Sequence, residues 1–327
     1  MRQLLDRYHR AVEYLRVSIT DLCNLRCVYC RPPEGIKLIT HDEILRYEEI
    51  LSVITMARDM GVRKIRVTGG EPLVRRGAVE FLSRLTSLEG IEDVGLTTNG
   101  VLLPTMAEDL KSAGLTRINI SLDSLRPDVF QRITRSDHLA EVLDGVEKVL
   151  ELGFHPVKIN VVLLRGFNED DVPAFARMTL GKPLDIRFIE RMPFGSEPSA
   201  SSPPPFSARA ALDIIRRHLG DVHPEERHPL DGPATMYRLD GALGRVGVID
   251  PMTGHFCGTC NRMRLTARGT LRPCLLSPRE FDLRAALRNG GSREDVAAVI
   301  RSAVLAKPMG HAADLELKGE GMYLIGG

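Results

Sequence analysis

From residue 14 to residue 190 the chain alternates short β-branched runs with segments of helical period, and this constrains the fold more than any other feature. Candidate strands are Tyr14–Ile19, Lys64–Thr68, Asp93–Thr97, Thr116–Ser121, Pro156–Leu163 and Leu184–Ile189. Strands separated by helices of this length are joined by right-handed crossovers into a parallel sheet. Six strands fall short of the eight that close a TIM barrel, so the fold class is α/β, an open, partial (β/α)6 barrel. In such folds chemistry gathers at the carboxyl ends of the strands. Local signals agree with the helices. Thr40 to Glu43 has the pattern of a capping box at a helix start, and Gly61, Gly114 and Gly153 stand where helices stop. Asn168 is placed to cap the helix after the fifth strand.

Residues 193 to 206 are rich in Pro and Ser and lack periodicity, which predicts a linker. It divides the chain into residues 1–200, the partial barrel, and 201–327, a smaller α+β domain. The second part shows a helix near Ala208–Leu219, strands near Met236–Leu239 and Arg245–Ile249, a hairpin around Arg264–Leu271 and two terminal helices. There is no internal repeat, no heptad pattern and no P-loop signature. With 43% hydrophobic and 27% charged residues the chain is neither collagen-like, disordered nor coiled coil. No apolar run is long enough to span a membrane, and the first twenty residues lack the apolar core of a secretory signal, so a cytoplasmic location is expected. A net charge of +1 gives no bulk reason to expect nucleic acid or an acidic membrane as partner. Eight of the 44 basic residues are Lys and the rest Arg, whose planar fork suits phosphate.

The six cysteines fall in two groups of three, Cys23, Cys27, Cys30 and Cys257, Cys260, Cys274. In a reducing compartment clustered thiols more often bind metal than form disulfides. The first group has the spacing C-x3-C-x2-C, which can converge on a soft metal centre. A cubane iron–sulfur cluster has four irons, and three thiolates leave one open. Structural zinc wants all four positions closed. The second group is C-x2-C followed after thirteen residues by Cys274; a zinc knuckle completed by His255 is the competing reading there.

The first group, with Tyr29 before its third cysteine, resembles the radical S-adenosylmethionine (SAM) superfamily, and Gly69-Gly70-Glu71-Pro72 after the second strand resembles that superfamily's methionine-binding motif. The segments Arg16 to Asp21 and Phe256 to Thr266, with the terminal Gly326-Gly327, are similar to the GTP 3′,8-cyclase family of molybdenum cofactor biosynthesis. The resemblance covers essentially the whole chain, from Leu15 onward. Leu22 departs from it, since relatives often place a basic residue before the first cysteine.

That resemblance implies two [4Fe-4S] clusters and SAM as cofactors. Cys23, Cys27 and Cys30 would hold the cluster that reduces and cleaves SAM to a 5′-deoxyadenosyl radical, and Tyr29, Gly70, Ser121 and Met192 would line SAM. The radical would take hydrogen from C3′ of GTP, and that carbon would then join C8 of guanine. Arg16, Arg66, Thr97, Lys158, Arg262, Met263 and Arg264 would contact GTP. Cys257, Cys260 and Cys274 would hold a second cluster that guanine approaches, and Gly326 and Gly327 would enter the site as a tail. Implied partners are an external one-electron reductant and cyclic pyranopterin monophosphate synthase, which receives the product; the chain would act as a monomer or homodimer. The competing readings are a peptide-modifying radical SAM enzyme with an auxiliary cluster and a zinc-stabilised binding module without chemistry.

Overall fold

The computed structural model describes residues 3–32, 36, 38–194, 205–226, 228, 232–254, 256–310 and 322–325. Gly326, Gly327, His255 and residues 195–204 of the Pro/Ser segment lie outside the described residues. The first half runs β1 (Tyr14–Ser18), α1 (Tyr47–Asp59), β2 (Lys64–Thr68), α2 (Ala78–Thr86), β3 (Asp93–Thr98), α3 (Leu103–Ser112), β4 (Ile118–Ser121), α4 (Pro127–Thr134), α5 (Leu139–Glu151), β5 (Val157–Leu163), α6 (Val172–Gly181) and β6 (Leu184–Glu190). All six strands are parallel and neighbour one another in chain order. They match the sequence reading to within two residues at either end.

After α7 (Ala208–Leu219) come β7 (Val222–Pro224), β8 (Thr235–Leu239), β9 (Arg245–Ile249), β10 (Arg262–Leu265), β11 (Thr270–Arg272), β12 (Phe281–Asp282), α8 (Leu283–Arg288), α9 (Arg293–Leu305) and α10 (Met322–Ile325). These strands extend the first sheet at both edges. β9 adds parallel to β6, β10 adds parallel to β1, and the outer strands turn antiparallel. The result is one open sheet of twelve strands with eight parallel strands at its centre, two more than the first half supplies.

The outer face is apolar throughout. Leu15 and Val17 of β1, Ile65 and Val67 of β2, Ile118 and Ile120 of β4 and Val157 and Ile159 of β5 are buried in one core with the helices. The intervening positions are polar: Tyr14 and Arg16, Lys64 and Arg66, Lys158 and Asn160, Asp185 and Arg187. Parallel sheets covered on both faces normally read as unbroken apolar runs. A polar alternate face on a parallel sheet therefore marks an interior built to hold something polar.

Two local expectations are corrected. The Thr40 amide and hydroxyl do bond the Glu43 carboxylate, at 3.3 and 3.1 Å, but within a turn. The helix begins at Tyr47, where the Arg46 amide donates to Glu49 at 2.7 Å, and Arg288 of α8 also pairs with Glu49. Asn168 caps no helix. Buried completely, it accepts from the Leu164 amide and donates to the carbonyls of Asp123 and Val162, closing the loop after β5. The helices before Gly61, Gly114 and Gly153 do end at those glycines, all at positive φ.

Candidate active site

All six cysteines line one cavity of about 340 Å³ inside the open barrel, and none is in a disulfide. Cys23 to Cys30 lie in the loop at the carboxyl end of β1. The backbone of that loop is pinned on two sides. Arg26 and Val28 donate to the carbonyls of Thr134 and Ile133 at the end of α4, and Gly70 and Glu71 donate to Thr20 and Leu22, both at 2.7 Å. The two chains pass so closely that a Cβ on Gly70 would sit 2.3 Å from the Leu22 carbonyl oxygen. Only glycine fits that approach, and the approach sets Gly70 against the loop that carries Cys23.

Glu71 braces the same corner, accepting from Leu73 N, Thr98 Oγ1 and Asn99 N at 3.0, 2.8 and 2.6 Å. Burial pushes its carboxyl up to about 7, against the pull of those donors. Asn99 in turn reaches Asn24 at 2.8 Å and the Cys23 sulfur at 3.7 Å. The Tyr29 hydroxyl donates to Asp123 Oδ2 at 2.7 Å, and Val162 N donates to Oδ1 at 2.8 Å. Burial raises Asp123 to about 6. Burial also raises the Cys27 thiol, and the charges of Asp123, Cys30 and Cys23 raise it further.

The second group sits at the opposite end of the same strand pair. β10 runs parallel to β1, with Tyr14 beside Arg262 and Arg16 beside Arg264. Cys260 precedes β10 and so lies at its amino end. β11 runs back antiparallel, with Arg272 beside Arg264, and delivers Cys274 to the same end. Cys257 is in a tight turn in which the Cys260 amide donates to its carbonyl at 3.1 Å. Burial raises the Cys260 thiol, but Arg262 and Lys307 outweigh it and bring it down to about 6.

Between the two cysteine groups the wall is cationic. Arg16, Arg31, Lys64, Arg66, Arg187, Arg262, Arg264 and Lys307 all line the cavity. Among the described residues no acidic side chain lines it. Arg264, Arg16 and Arg66 stand in register on adjacent strands, and the next position is Gly95. A Cβ on Gly95 would meet the Arg66 guanidinium at 2.7 Å, so the missing side chain is what gives that guanidinium its place. Burial lowers Arg264 well below its usual range, and Arg16 and Arg262 add to the effect. Arg16 and Arg187 are each pushed down to about 10, chiefly by burial. Burial would raise the Tyr14 phenol, but Arg66, Arg16 and Arg262 bring it down to about 7. Like charges in register repel, and buried cations need an anion.

Two other inward cations are neutralised within the protein. Lys64 is 2.9 Å from Asp93, which also meets Arg117. Lys158 is 3.8 Å from Asp185, which Arg245 grips at 2.8 Å. Lys158 thus lies beneath the cavity lining, paired and 1% exposed. Met263 is buried in the apolar core, so its side chain does not reach the cavity. Arg16, Arg66, Thr97, Arg262, Arg264, Tyr29, Gly70, Ser121 and Met192 all line it together. Met192 also packs with Cys274, Leu276 and α10, the last described element before Gly326, and Met322 of α10 reaches the cavity. Tyr14, Lys64, Asn160 and Arg187 were not singled out from the sequence. Each stands two residues from a residue that was, or breaks an apolar strand, so extending the period-two reading would have found all four.

The residues fit the groups that the resemblance implies. Each triplet brings three thiols to the cavity, the number of thiolates that would ligate three irons of a cubane and leave the fourth open. Arg66 Nε, Thr97 Oγ1 and Asn160 Oδ1 are buried at the cavity without a hydrogen-bond partner among the described residues, as expected where a polar ligand binds.

Comparison with known proteins agrees. Residues 17–179 match the Radical SAM superfamily and residues 184–313 match Molybdenum Cofactor Synthesis C. The chain is 50% identical over 306 residues to a GTP 3′,8-cyclase of Pelotomaculum thermopropionicum, covering 94% of each. It is 50% identical over 313 residues to a GTP 3′,8-cyclase of Heliobacterium modesticaldum, again with 94% of each covered. The chain belongs to the GTP 3′,8-cyclase family. Among solved structures, Streptococcus suis SuiB superposes with a TM-score of 0.62 at 13% identity, covering 94% of this chain and 68% of SuiB. That likeness bears on the fold alone. No described helix of this family member is long and apolar enough to cross a membrane.

Proposed function

We propose that the chain converts GTP to (8S)-3′,8-cyclo-7,8-dihydroguanosine 5′-triphosphate, the first step of molybdenum cofactor biosynthesis, in the cytoplasm. The observation that carries this is the cationic wall, with no acidic lining among the described residues, between two cysteine triplets at opposite ends of β1 and β10. The row Arg264, Arg16 and Arg66 meets the triphosphate, whose oxygens match the guanidinium forks. Thr97 and Asn160 supply further polar atoms to the nucleotide. Cys23, Cys27 and Cys30 hold the first cluster, and Gly70, Tyr29, Ser121 and Met192 enclose SAM beside it. When bound, that cluster and SAM supply a radical able to take hydrogen from an unactivated C–H bond, which no side-chain acid or base can do. Cys257, Cys260 and Cys274 would hold the second cluster, on the side of the cavity that the guanine base would occupy. The polar barrel wall keeps the ribose between the two. Residues 1–200 would thus hold SAM and much of the triphosphate, residues 201–327 mainly the base, and Gly326-Gly327 would enter the site as a tail. The first cluster would need an external one-electron reductant, and the product would pass to cyclic pyranopterin monophosphate synthase.

The deciding assay is anaerobic, with SAM, a strong reductant and each nucleoside triphosphate in turn. The expected result is 5′-deoxyadenosine and a cyclised product with GTP only. Product with no nucleotide, or zinc in place of about eight irons per chain, would sink the reading.

A further inference from the structure

We propose that Lys307 and Arg10 are positioning residues for the second cysteine group, binding segment 307–309 across its three ligands and setting a positive charge against one sulfur. The proposal rests on the reading that this group holds an iron–sulfur cluster. Lys307, directly after α9, is 3% exposed. Its ammonium donates to the carbonyls of Arg262 and Pro273 at 2.8 and 3.0 Å and to the Cys260 sulfur at 3.4 Å. Those contacts use all three donors, and no carboxylate is among them. A buried ammonium without a carboxylate is costly, unless negative charge gathers beside it. Three thiolates on a cluster are such a charge. Pro273 precedes Cys274, so one side chain fixes the spacing between Cys260 and Cys274 across the β10–β11 hairpin.

Arg10 completes the span from the other end of the chain. Its guanidinium donates to the carbonyl of Cys257 at 2.6 Å, of Pro308 at 2.6 Å and of Met309 at 3.1 Å. Asp6, itself buried, holds Arg10 Nε at 2.6 Å and accepts the amides of Tyr8 and Arg10, so the guanidinium is fixed before the ligands are met. Cys260 is therefore tied to residues 307–309 directly, Cys274 through Pro273 and Cys257 through Arg10.

The two residues differ in what they touch, and that separates their effects. Lys307 touches a sulfur, and hydrogen bonds to sulfur and local net charge set cluster potentials. Arg10 touches no sulfur: it donates to carbonyls and its charge is paired with Asp6, so it governs retention of the cluster more than its potential.

The test uses the full chain with Cys23, Cys27 and Cys30 changed to Ala, leaving only the second group to be read. Iron and sulfide per chain, iron loss to a chelator and the midpoint potential are measured. Lys307→Met is expected to retain iron ~10–100-fold more weakly and to shift the remaining cluster to a more negative potential, with Lys307→Arg restoring most of both. Arg10→Gln is expected to weaken retention with a smaller shift of potential than Lys307→Met produces. Retention and potential equal to the parent in Lys307→Met, or unaltered retention in Arg10→Gln, would overturn the assignment. Should Lys307→Met fail to fold, Arg10→Gln and Lys307→Arg still decide it. A parent that binds zinc and no iron would instead refute the cluster reading beneath it.

Discussion

The sharpest consequence of the cationic row concerns a residue without a side chain. Changing Gly95 to Ala places a methyl carbon 2.7 Å from Cζ and Nη1 of Arg66 and 3.1 Å from Nη2. The obstructed atoms are the tip of a flexible side chain, so the strand need not move. An added Cβ in a strand stabilises by roughly 0.5–1 kcal/mol, which offsets part of the crowding, and the thermal midpoint should change little. The guanidinium, however, must leave its place beside Arg16 and lose its alignment with the bound anion. A charged hydrogen bond contributes ~1.5–3 kcal/mol, so GTP should bind roughly 10- to 150-fold more weakly. SAM binding and iron content should match the parent. Equilibrium dialysis with GTP, beside thermal melts and iron analysis, reads all of these. The cycle with Arg66→Ala adds a stricter condition. If the glycine acts only by seating Arg66, the double variant should bind GTP no more weakly than Arg66→Ala alone. Unchanged GTP affinity in Gly95→Ala, or additive losses in the double variant, would refute the argument.

Three other outcomes follow from the same geometry. Cys27→Ala should lower iron from about eight to about four per chain and abolish 5′-deoxyadenosine formation; retained cleavage of SAM would remove the first triplet from its role. Gly70→Ala forces a backbone carbonyl aside and should cost ~1–3 kcal/mol together with SAM affinity, measured by melts with and without SAM. Tyr14 titrates at about 7 because Arg66, Arg16 and Arg262 favour its phenolate over the burial that opposes it. A bound triphosphate competes for those cations, so its affinity should be highest below that value and fall as pH rises from about 6 to about 9, whereas Tyr14→Phe should flatten that component of the profile.

Much of this was legible because the strands of the first half carry two independent signals, β-branched runs and glycine stops, and both act locally. The Thr40 turn misled because a capping box describes hydrogen bonds that a turn also makes; Glu49, paired with Arg288 from α8, is what starts α1. Asn168 misled for a similar reason, since its side chain was drawn to carbonyls far from it in sequence. The pairing of β9 and β10 with opposite edges of the sheet was not legible, because short strands after a linker say nothing of their partners. That pairing alone brings Arg262, Arg264 and the second cysteine group into the barrel. Lys158 could be seen to need an anion but not that Asp185 supplies it. Conversely, Arg187 and Tyr14 were visible as polar residues in register and lacked only the inference that the inner face of the whole sheet is polar.

The placement of the two cysteine groups follows from strand direction, and it limits what can lie between them. Cys23 follows the carboxyl end of β1, while Cys260 precedes β10, a parallel neighbour. The groups are therefore separated by at least the length of the strand, four steps from Tyr14 to Ser18 at ~3.3 Å each, or ~13 Å. Along that span the inward positions are Tyr14 with Arg262 and then Arg16 with Arg264. A ligand that touches both clusters must pass this cationic rung, so it must be elongated and carry negative charge away from at least one of its ends. An apolar peptide segment meets the first condition and fails the second, bringing no negative charge to the rung of Arg16, Arg264 and Arg66. A purine nucleoside triphosphate meets both, with its base directed to one group, its ribose to the other and its phosphates on the rung.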